Sequence, residues 1–357
     1  MKIGLVLPGF SANERDWCIP ALLNFVRRLA ADNVVRVFAL EYPFRRDVYS
    51  VYSAVVHSMN GRNRGKWHAP RLWSDTLAAI RAEHRRAPFD VLHAFWANAP
   101  SAIAILAGRA LNVPVIASVA GGELVGLRAI GYGGQLRATE RLIAGWTMRA
   151  ANRVTVGSRY MQAIAARWRP EACVLPLGVD AQMFAPGRNA TINRPRRIVN
   201  VGSLIPVKGQ AQLLDAFARL ARKEICLDIV GSGALERELR ERALRLGIAE
   251  RVLFSGSLAH DALPAKYRAA DVFVQSSFHE AQGMAVLEAA ASGIPVVGTP
   301  VGILRELTGG RADDLAQAVT QALENREQLG QQARRTVEQE FSLEATWHKW
   351  MELYRRG

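Results

Sequence analysis

The chain switches between two hydrophobic rhythms. Short, largely apolar runs at Ile3–Leu7, Val34–Leu40 and Asp90–Ala94 read as buried parallel strands. Between them, apolar residues recur three and four apart, which predicts amphipathic helices at Ile19–Ala30 and Leu72–Glu83. The alternation continues with a helix at Ser101–Ala110, a strand at Val113–Val119, a helix at Glu140–Ala151, a strand at Arg153–Gly157 and a helix from Arg159. Strands that alternate with helices predict a parallel sheet covered on both faces.

The rhythm breaks over residues 183–196, where Pro186, Gly187, Pro195 and polar neighbours mark a linker. It then restarts with strands at Arg197–Val201, Ile225–Val230, Val252–Phe254 and Val272–Gln275. The helices between them are Gln212–Ala221, Leu235–Leu246 and Leu263–Ala269, with two more at Asp313–Glu324 and Ala345–Tyr354. At 357 residues the chain exceeds one ordinary core. The expected organisation is an α/β protein of two Rossmann-like, doubly wound parallel-sheet domains, residues 1–185 and 186–340. A terminal helix at 341–357 follows. Such sheets bind ligands at the carboxyl ends of their strands, here in a cleft between the domains.

Composition narrows the class. Half of the residues are apolar, enough for two cores. Cys18, Cys173 and Cys226 lie far apart and form no CxxC pair, so no zinc site of the usual spacing is expected and a reducing, cytoplasmic compartment is. The apolar run before Pro8 is too short for a signal peptide, and no stretch of about twenty apolar residues suggests a membrane span. The net charge of +14 is uneven, with 23 Lys and Arg against 12 Asp and Glu in residues 1–185. In residues 61–73, Arg62, Arg64, Lys66 and Arg71 interleave with Trp67 and Trp73. Cations beside tryptophan suit peripheral contact with an anionic membrane surface. An anionic acceptor and a merely Arg-rich surface (40 Arg against 6 Lys) stay open, whereas nucleic acid is not expected.

The most informative stretch is 278–302, FHEAQGMAVLEAAASGIPVVGTPVG. Glu280 precedes a Gln282-Gly283 turn, and a short helix from Met284 carries Glu288 about one turn in. Gly293 suits the helix end, and IPVV reads as a buried strand. A helix N-terminus offers free N–H groups and partial positive charge, which favours phosphate. Gly283 lets backbone approach a ligand. Ionised carboxylates only accept hydrogen bonds and so bind diols. Glu288 suits a ribose and Glu280 the hydroxyls of a sugar. An isolated pair of glutamates at this spacing would more often be a solvated side chain and a favourable helix charge.

This stretch resembles the signature of the retaining, GT-B-fold family 4 glycosyltransferases (glycosyl transferases group 1), E-x-F-G-x-x-x-x-E-A-x-A-x-G-x-P-V-V. Glu280, Gly283, Glu288, Ala289, Ala291, Gly293, Pro295, Val296 and Val297 match, and Gln282 departs from the usual bulky apolar residue. Residues 199–217 are similar to the family's V-G-R-L-x-x-x-K-G segment at Gly202, Lys208 and Gly209, with Ser203 in place of Arg. Gly178, Val179, Asp180, Phe184 and Pro186 resemble the segment before the family's linker. Gly231, at the end of a V-G-x-G strand, and Gly256, in an F-x-G segment, also resemble the family, which implies that the loop after Gly256 lies near a nucleobase.

The resemblance implies an enzyme that moves a hexosyl unit from a UDP-, GDP- or similar sugar to an acceptor hydroxyl, with retention and with neither metal nor cofactor. A role in cell-envelope glycan, glycolipid or polysaccharide synthesis follows, with a glycan or lipid-linked acceptor. It implies that Lys208, with amides near Gly283 and Met284, stabilises the leaving diphosphate, while Glu280 positions the donor sugar. Gly202, Ser203, Gly231, Gly256, Gln282 and Glu288 complete the donor site. On the acceptor side, Ala120 stands where many relatives carry His. Gly121, Gly122, Glu123, Trp96 and Asn98 are the candidate acceptor residues, and Glu123 reads equally as a helix-terminal carboxylate. Ala120 and Ser203 keep a non-catalytic sugar-nucleotide or glycan-binding protein open, and a GT-B epimerase or phosphorylase is a further alternative. After residues 301–307, Ile303 replaces a usual glycine, and the short connection that follows is expected to remove an edge strand.

Overall fold

The computed structural model describes residues 1–62, 69–187, 195–220, 224–308 and 314–356. They form two compact units, Met1–Leu177 with Thr346–Gly357, and Gly178–Ala345. Arg64, Lys66 and Trp67 of the basic segment, half of the expected linker, Ala221 and Asp313 lie outside the described residues.

The first unit holds one eight-stranded sheet. Its strands are β1 (Lys2–Gly9), β2 (Val34–Tyr42), β3 (Arg46–Val51), β4 (Ala54–Met59), β5 (Val91–Phe95), β6 (Val115–Val119), β7 (Arg153–Val156) and β8 (Cys173–Val174). Their order is β3-β4-β2-β1-β5-β6-β7-β8, parallel except where β3 pairs antiparallel with β4. Helices α1 (Pro20–Asp32), α2 (Ala69–Arg86), α3 (Ala99–Leu111), α4 (Ala138–Ala150) and α5 (Arg159–Ala165) connect them.

Alternation along the strands divides the core. Ile3, Leu5, Leu7, Val35, Val37 and Ala39 share a cluster with Phe25 of α1 and with Trp347, Trp350 and Tyr354. These last three belong to helix α13 (Leu343–Arg355). Residues of opposite parity, such as Arg36 and Phe38, meet Glu83 of α2 and Phe89. The β3–β4 hairpin, absent from the sequence expectation, turns through Tyr52 at φ 50° without an Asn-Gly signature.

A buried polar string crosses this sheet. His93 on β5 is fully buried, its Nδ1 2.7 Å from Tyr354 Oη and its Nε2 2.7 Å from Ser118 Oγ. Ser118 Oγ lies 2.5 Å from Thr155 Oγ1 on β7. Trp350 is 1% exposed and donates its indole N–H to Pro176 O at 3.1 Å, which ties α13 to this unit.

The second unit is a five-stranded parallel sheet. Its strands are β9 (Arg196–Val201), β10 (Ile225–Val230), β11 (Val252–Gly256), β12 (Val272–Gln275) and β13 (Val296–Gly298), ordered β11-β10-β9-β12-β13. Strand order therefore reverses between β9 and β12, the position where open α/β sheets bind ligands. Helices α6 (Gln210–Ala218), α7 (Glu236–Arg245), α8 (Leu263–Arg268), α9 (Met284–Ala291), α10 (Leu304–Thr308), α11 (Leu315–Glu324) and α12 (Arg326–Thr336) flank it. Two apolar clusters, one around Phe273 and Leu287 and one around Leu227 and Val274, fill it. Helix α12 was not expected from the sequence, because its inward face is made of small residues. A Cβ on Gly330 would lie 2.3 Å from Gly293 O, so that face replaces an apolar stripe with close backbone approach. Among the described residues β13 is an edge of the sheet, as the short connection after it predicts.

Candidate active site

The reversal point of the second sheet gathers most of the expected donor residues. A single turn at Pro206–Lys208 after β9 carries Lys208, and the loop after β12 carries Glu280. Lys208 Nζ donates to Glu280 Oε1 at 2.5 Å, and Ser277 Oγ donates to the same oxygen at 2.7 Å. Gly283 caps α9 at φ 93°, a left-handed conformation that disfavours any side chain. Met284 and Ala285, the first residues of α9, face a cavity of about 40 Å³ together with Lys208, Glu280, Asn200, Gln210 and Gln275. A cation, a carboxylate and a helix N-terminus thus meet around one small space.

Other expected donor residues sit nearby in different roles. Gly202 N–H donates to Val230 O at 2.9 Å, and Gly231 N–H to Gly256 O at 2.8 Å, which links the carboxyl ends of β9, β10 and β11. A Cβ on Gly231 would lie 2.0 Å from Gly202 O, so only glycine permits that approach. Ser203 is exposed, and its carbonyl accepts from Gln210 Nε2 at 3.1 Å. Gln282 holds the loop through its carbonyl, which accepts from Ile303 N–H at 2.7 Å, while its Nε2 lies 3.2 Å from Met284 Sδ.

Glu288 is not on that cavity wall. It is 6% exposed, with Oε1 2.9 Å from His260 Nε2 and Oε2 accepting from Tyr267 Oη at 2.9 Å. Burial, with the Glu288 carboxylate beside it, holds the Tyr267 hydroxyl well above the usual tyrosine range. A ribose diol would have to use the lone pairs these bonds leave free. Removing Glu288 therefore disturbs a buried network before it disturbs any ligand.

The first unit carries a second space, about 320 Å³, at the carboxyl ends of β5 and β6. Trp96, Asn98, Gly122 and Glu123 line it with Tyr132 and Arg137. Trp96 holds φ 71°, a strained conformation for a bulky residue, of a kind that clusters at functional sites. Asn98 Oδ1 is buried without a protein partner. Gly121 sits behind the wall, and a Cβ there would meet Trp96 Nε1 at 2.7 Å.

Glu123 is 6% exposed and caged by main chain. Its Oε1 accepts from Ala97 N–H at 3.0 Å and Ala120 N–H at 3.1 Å, and its Oε2 from Gly121 N–H at 2.7 Å. Burial pushes its pKa up, and the amides pull against that shift. Both oxygens hold the β5 and β6 loops together, so Glu123 organises the cavity.

The sequence reading missed Asn200, Gln210, Ser277, Tyr132 and Arg137. Asn200 had a signal: it interrupts an otherwise apolar run, Ile198 to Val201. The others are loop and helix residues with no pattern of their own. Among the described residues no three His, Cys, Asp or Glu side chains gather as metal ligands. None of the described helices is long and apolar enough to cross a membrane.

Residues 185–338 match the family described as glycosyl transferases group 1, and residues 21–183 match glycosyltransferase family 4. The chain is 30% identical over 309 residues to a D-inositol 3-phosphate glycosyltransferase of Geodermatophilus obscurus, covering 76% of this chain and 68% of that one. It is 37% identical over 157 residues to a mannosylfructose-phosphate synthase of Agrobacterium fabrum, covering 39% of this chain and 35% of that one. The chain thus spans about a third to two thirds of the length of these curated relatives. A sucrose-phosphate synthase structure from Thermosynechococcus elongatus superposes with a TM-score of 0.82 at 21% identity, over 100% of this chain and 98% of that chain. That likeness establishes the two-domain GT-B fold.

Proposed function

The chain belongs to the group 1 glycosyltransferases of family 4, and we propose that it transfers a hexose from a nucleotide sugar to an acceptor hydroxyl with retention. The observation that carries this reading is the meeting of Lys208, Glu280 and the α9 N-terminus at the strand-order reversal. Lys208 and the amides of Met284 and Ala285 would take up charge as the diphosphate leaves. Glu280 would exchange its bond from Lys208 for hydroxyls of the donor sugar. Glu288, fixed by His260 and Tyr267, would hold the ribose. Among the described residues no side chain stands ready as a covalent nucleophile, so attack on the face of the departing phosphate, with that phosphate as base, is the proposed route to retention. No metal or cofactor is required in this scheme.

The cavity of the first unit is the proposed acceptor site, walled by Trp96 and Tyr132 for sugar or polyol faces. Relatives named as a D-inositol 3-phosphate glycosyltransferase and a mannosylfructose-phosphate synthase make a phosphate-bearing polyol a fitting acceptor class beside a lipid-linked glycan. Envelope glycan or glycolipid synthesis at the inner face of the membrane is the proposed setting. Phe44 and Val48, 56% and 59% exposed beside Arg45 and Arg46, are the described residues that suit an anionic surface. Co-sedimentation with anionic vesicles tests that part, and absence of binding at low salt removes it.

The decisive experiment incubates the protein with UDP-, GDP-, ADP- and dTDP-sugars, and follows melting temperature and donor hydrolysis. Selective stabilisation with turnover supports the transferase, and NMR of the product anomer tests retention. Stabilisation without turnover over a broad acceptor panel favours the binding-protein reading, which Ser203 and Ala120 motivate. No stabilisation by any donor refutes both.

A further inference from the structure

Two buried side chains beside Lys208 accept no hydrogen bond. Asn200 on β9 is 5% exposed, and Gln210 at the start of α6 is 1% exposed. Asn200 Nδ2 donates to Val274 O at 2.8 Å, and Gln210 Nε2 donates to Ser203 O at 3.1 Å. Each amide nitrogen is therefore committed to a main-chain carbonyl, which fixes the oxygen at the other end. Asn200 Oδ1 and Gln210 Oε1 are buried with no protein partner. Both residues line the cavity of about 40 Å³ that also touches Lys208, Glu280 and the start of α9.

A buried acceptor left without a donor costs about 1–3 kcal/mol, and few survive in native proteins without a reason. Two on residues that line one cavity mark a place built to receive hydrogen-bond donors. The size admits a hydroxyl or hydroxymethyl group, not a ring. The chemistry is selective as well. Two carbonyl oxygens welcome O–H or N–H and repel any group that only accepts. A phosphate oxygen, a ring oxygen or a fluorine is thereby excluded, and the diphosphate must lie on the Lys208 and α9 side instead. A hydroxyl carries one proton, so one sugar hydroxyl and one companion water would satisfy the pair.

We propose that this cavity is a hydroxyl slot of the donor site, and that Asn200 and Gln210 determine which donor sugar is accepted. The inference rests on the donor reading above. Glu280 takes one hydroxyl at the rim, and the slot takes another from the same sugar, so the two together read the ring's stereochemistry.

The test first finds which of UDP-glucose, UDP-galactose and GDP-mannose binds, by calorimetry. Monodeoxy and deoxyfluoro versions of that donor are then titrated into wild type, Asn200→Leu and Gln210→Met. Melting curves select the variants that fold. The expected result is one hydroxyl whose replacement weakens wild-type binding by about tenfold or more, fluorine more than hydrogen. In either variant that penalty shrinks to about threefold or less, while Asn200→Leu leaves affinity for the nucleoside diphosphate alone unchanged. If the parent donor binds but no hydroxyl position is sensitive in wild type, or if the penalty persists in the variants, the cavity holds water only and the proposal fails. If no nucleotide sugar and no nucleotide binds, the donor reading itself fails and takes this inference with it.

Discussion

The buried His93 makes acid stability a sharp test of how the first unit is held together. Burial lowers its pKa to about 3, from 6.5 in the unfolded chain. The folded state thus refuses a proton that the unfolded state takes, so this contribution is complete above pH 6.5 and is lost as pH falls toward 3. From those two values, stability should fall by about 2 kcal/mol between pH 7 and pH 5 through His93 alone. For a unit of this size that corresponds to roughly 4–8 °C in melting temperature. The assay is urea unfolding at both pH values for wild type and His93→Gln. The variant keeps an amide near Ser118 and Tyr354 but cannot titrate. His57, whose pKa burial also lowers, is present in both proteins and cancels in the comparison. The wild type should lose about 2 kcal/mol more than the variant over this range. Equal slopes, or an NMR titration in which the His93 ring protonates above pH 5, would refute the reasoning.

Lys208→Met should lower turnover of the matched donor about 10²–10³-fold, the scale of losing one preorganised electrostatic group, with the melting temperature little changed. A loss below about threefold would remove Lys208 from the chemistry. Glu288→Ala should destabilise the second unit by about 3–5 kcal/mol, since Tyr267 and His260 lose a buried acceptor. Glu288→Gln, which retains one carbonyl oxygen, should cost less, and equal costs in calorimetry would contradict the network. Trp96→Ala should weaken acceptor kcat/KM about tenfold or more and leave donor affinity alone. A shift in donor affinity of the same size would move Trp96 out of the acceptor site.

The fold was legible where local pattern and tertiary role coincide. Buried parallel stretches such as Ile3–Leu7 and Val272–Val274 are apolar throughout, so the runs in the sequence are the strands themselves. The β3–β4 hairpin was hidden because Tyr52 supplies the left-handed turn that glycine usually signals. Helix α12 was hidden because Gly330 and Ala333 pack by closeness rather than by apolar bulk. In the site, the glutamates and Lys208 were legible from spacing, whereas their partners were not. Nothing local ties Ser276 to Lys208, or His260 and Tyr267 to Glu288, because those links span 68, 28 and 21 residues and form only once the fold has brought their elements together. Glu123 was legible as a carboxylate at a strand end, but its caging by three amides depends on how two loops close on each other.

Three of the departures from the family pattern share a physical feature. At Ala120, Ser203 and Gln282 the main chain makes the bonds that hold the loop. Ala120 N–H donates to Glu123, Ser203 O accepts from Gln210, and Gln282 O accepts from Ile303 N–H. The loops therefore keep their course whatever those side chains are, and the changes act on what the site presents. Ser203 is the most informative of the three, because it stands where the family pattern carries an Arg, beside the proposed place of the diphosphate. Ser203→Arg adds one exposed charge there, worth about 1 kcal/mol at moderate salt. Donor affinity should rise about fivefold, the gain should shrink as salt is added, and the melting temperature should stay within a degree or two. Affinity unchanged at low salt would mean that the diphosphate does not pass Ser203, and that the donor lies differently across the ends of β9 and β12.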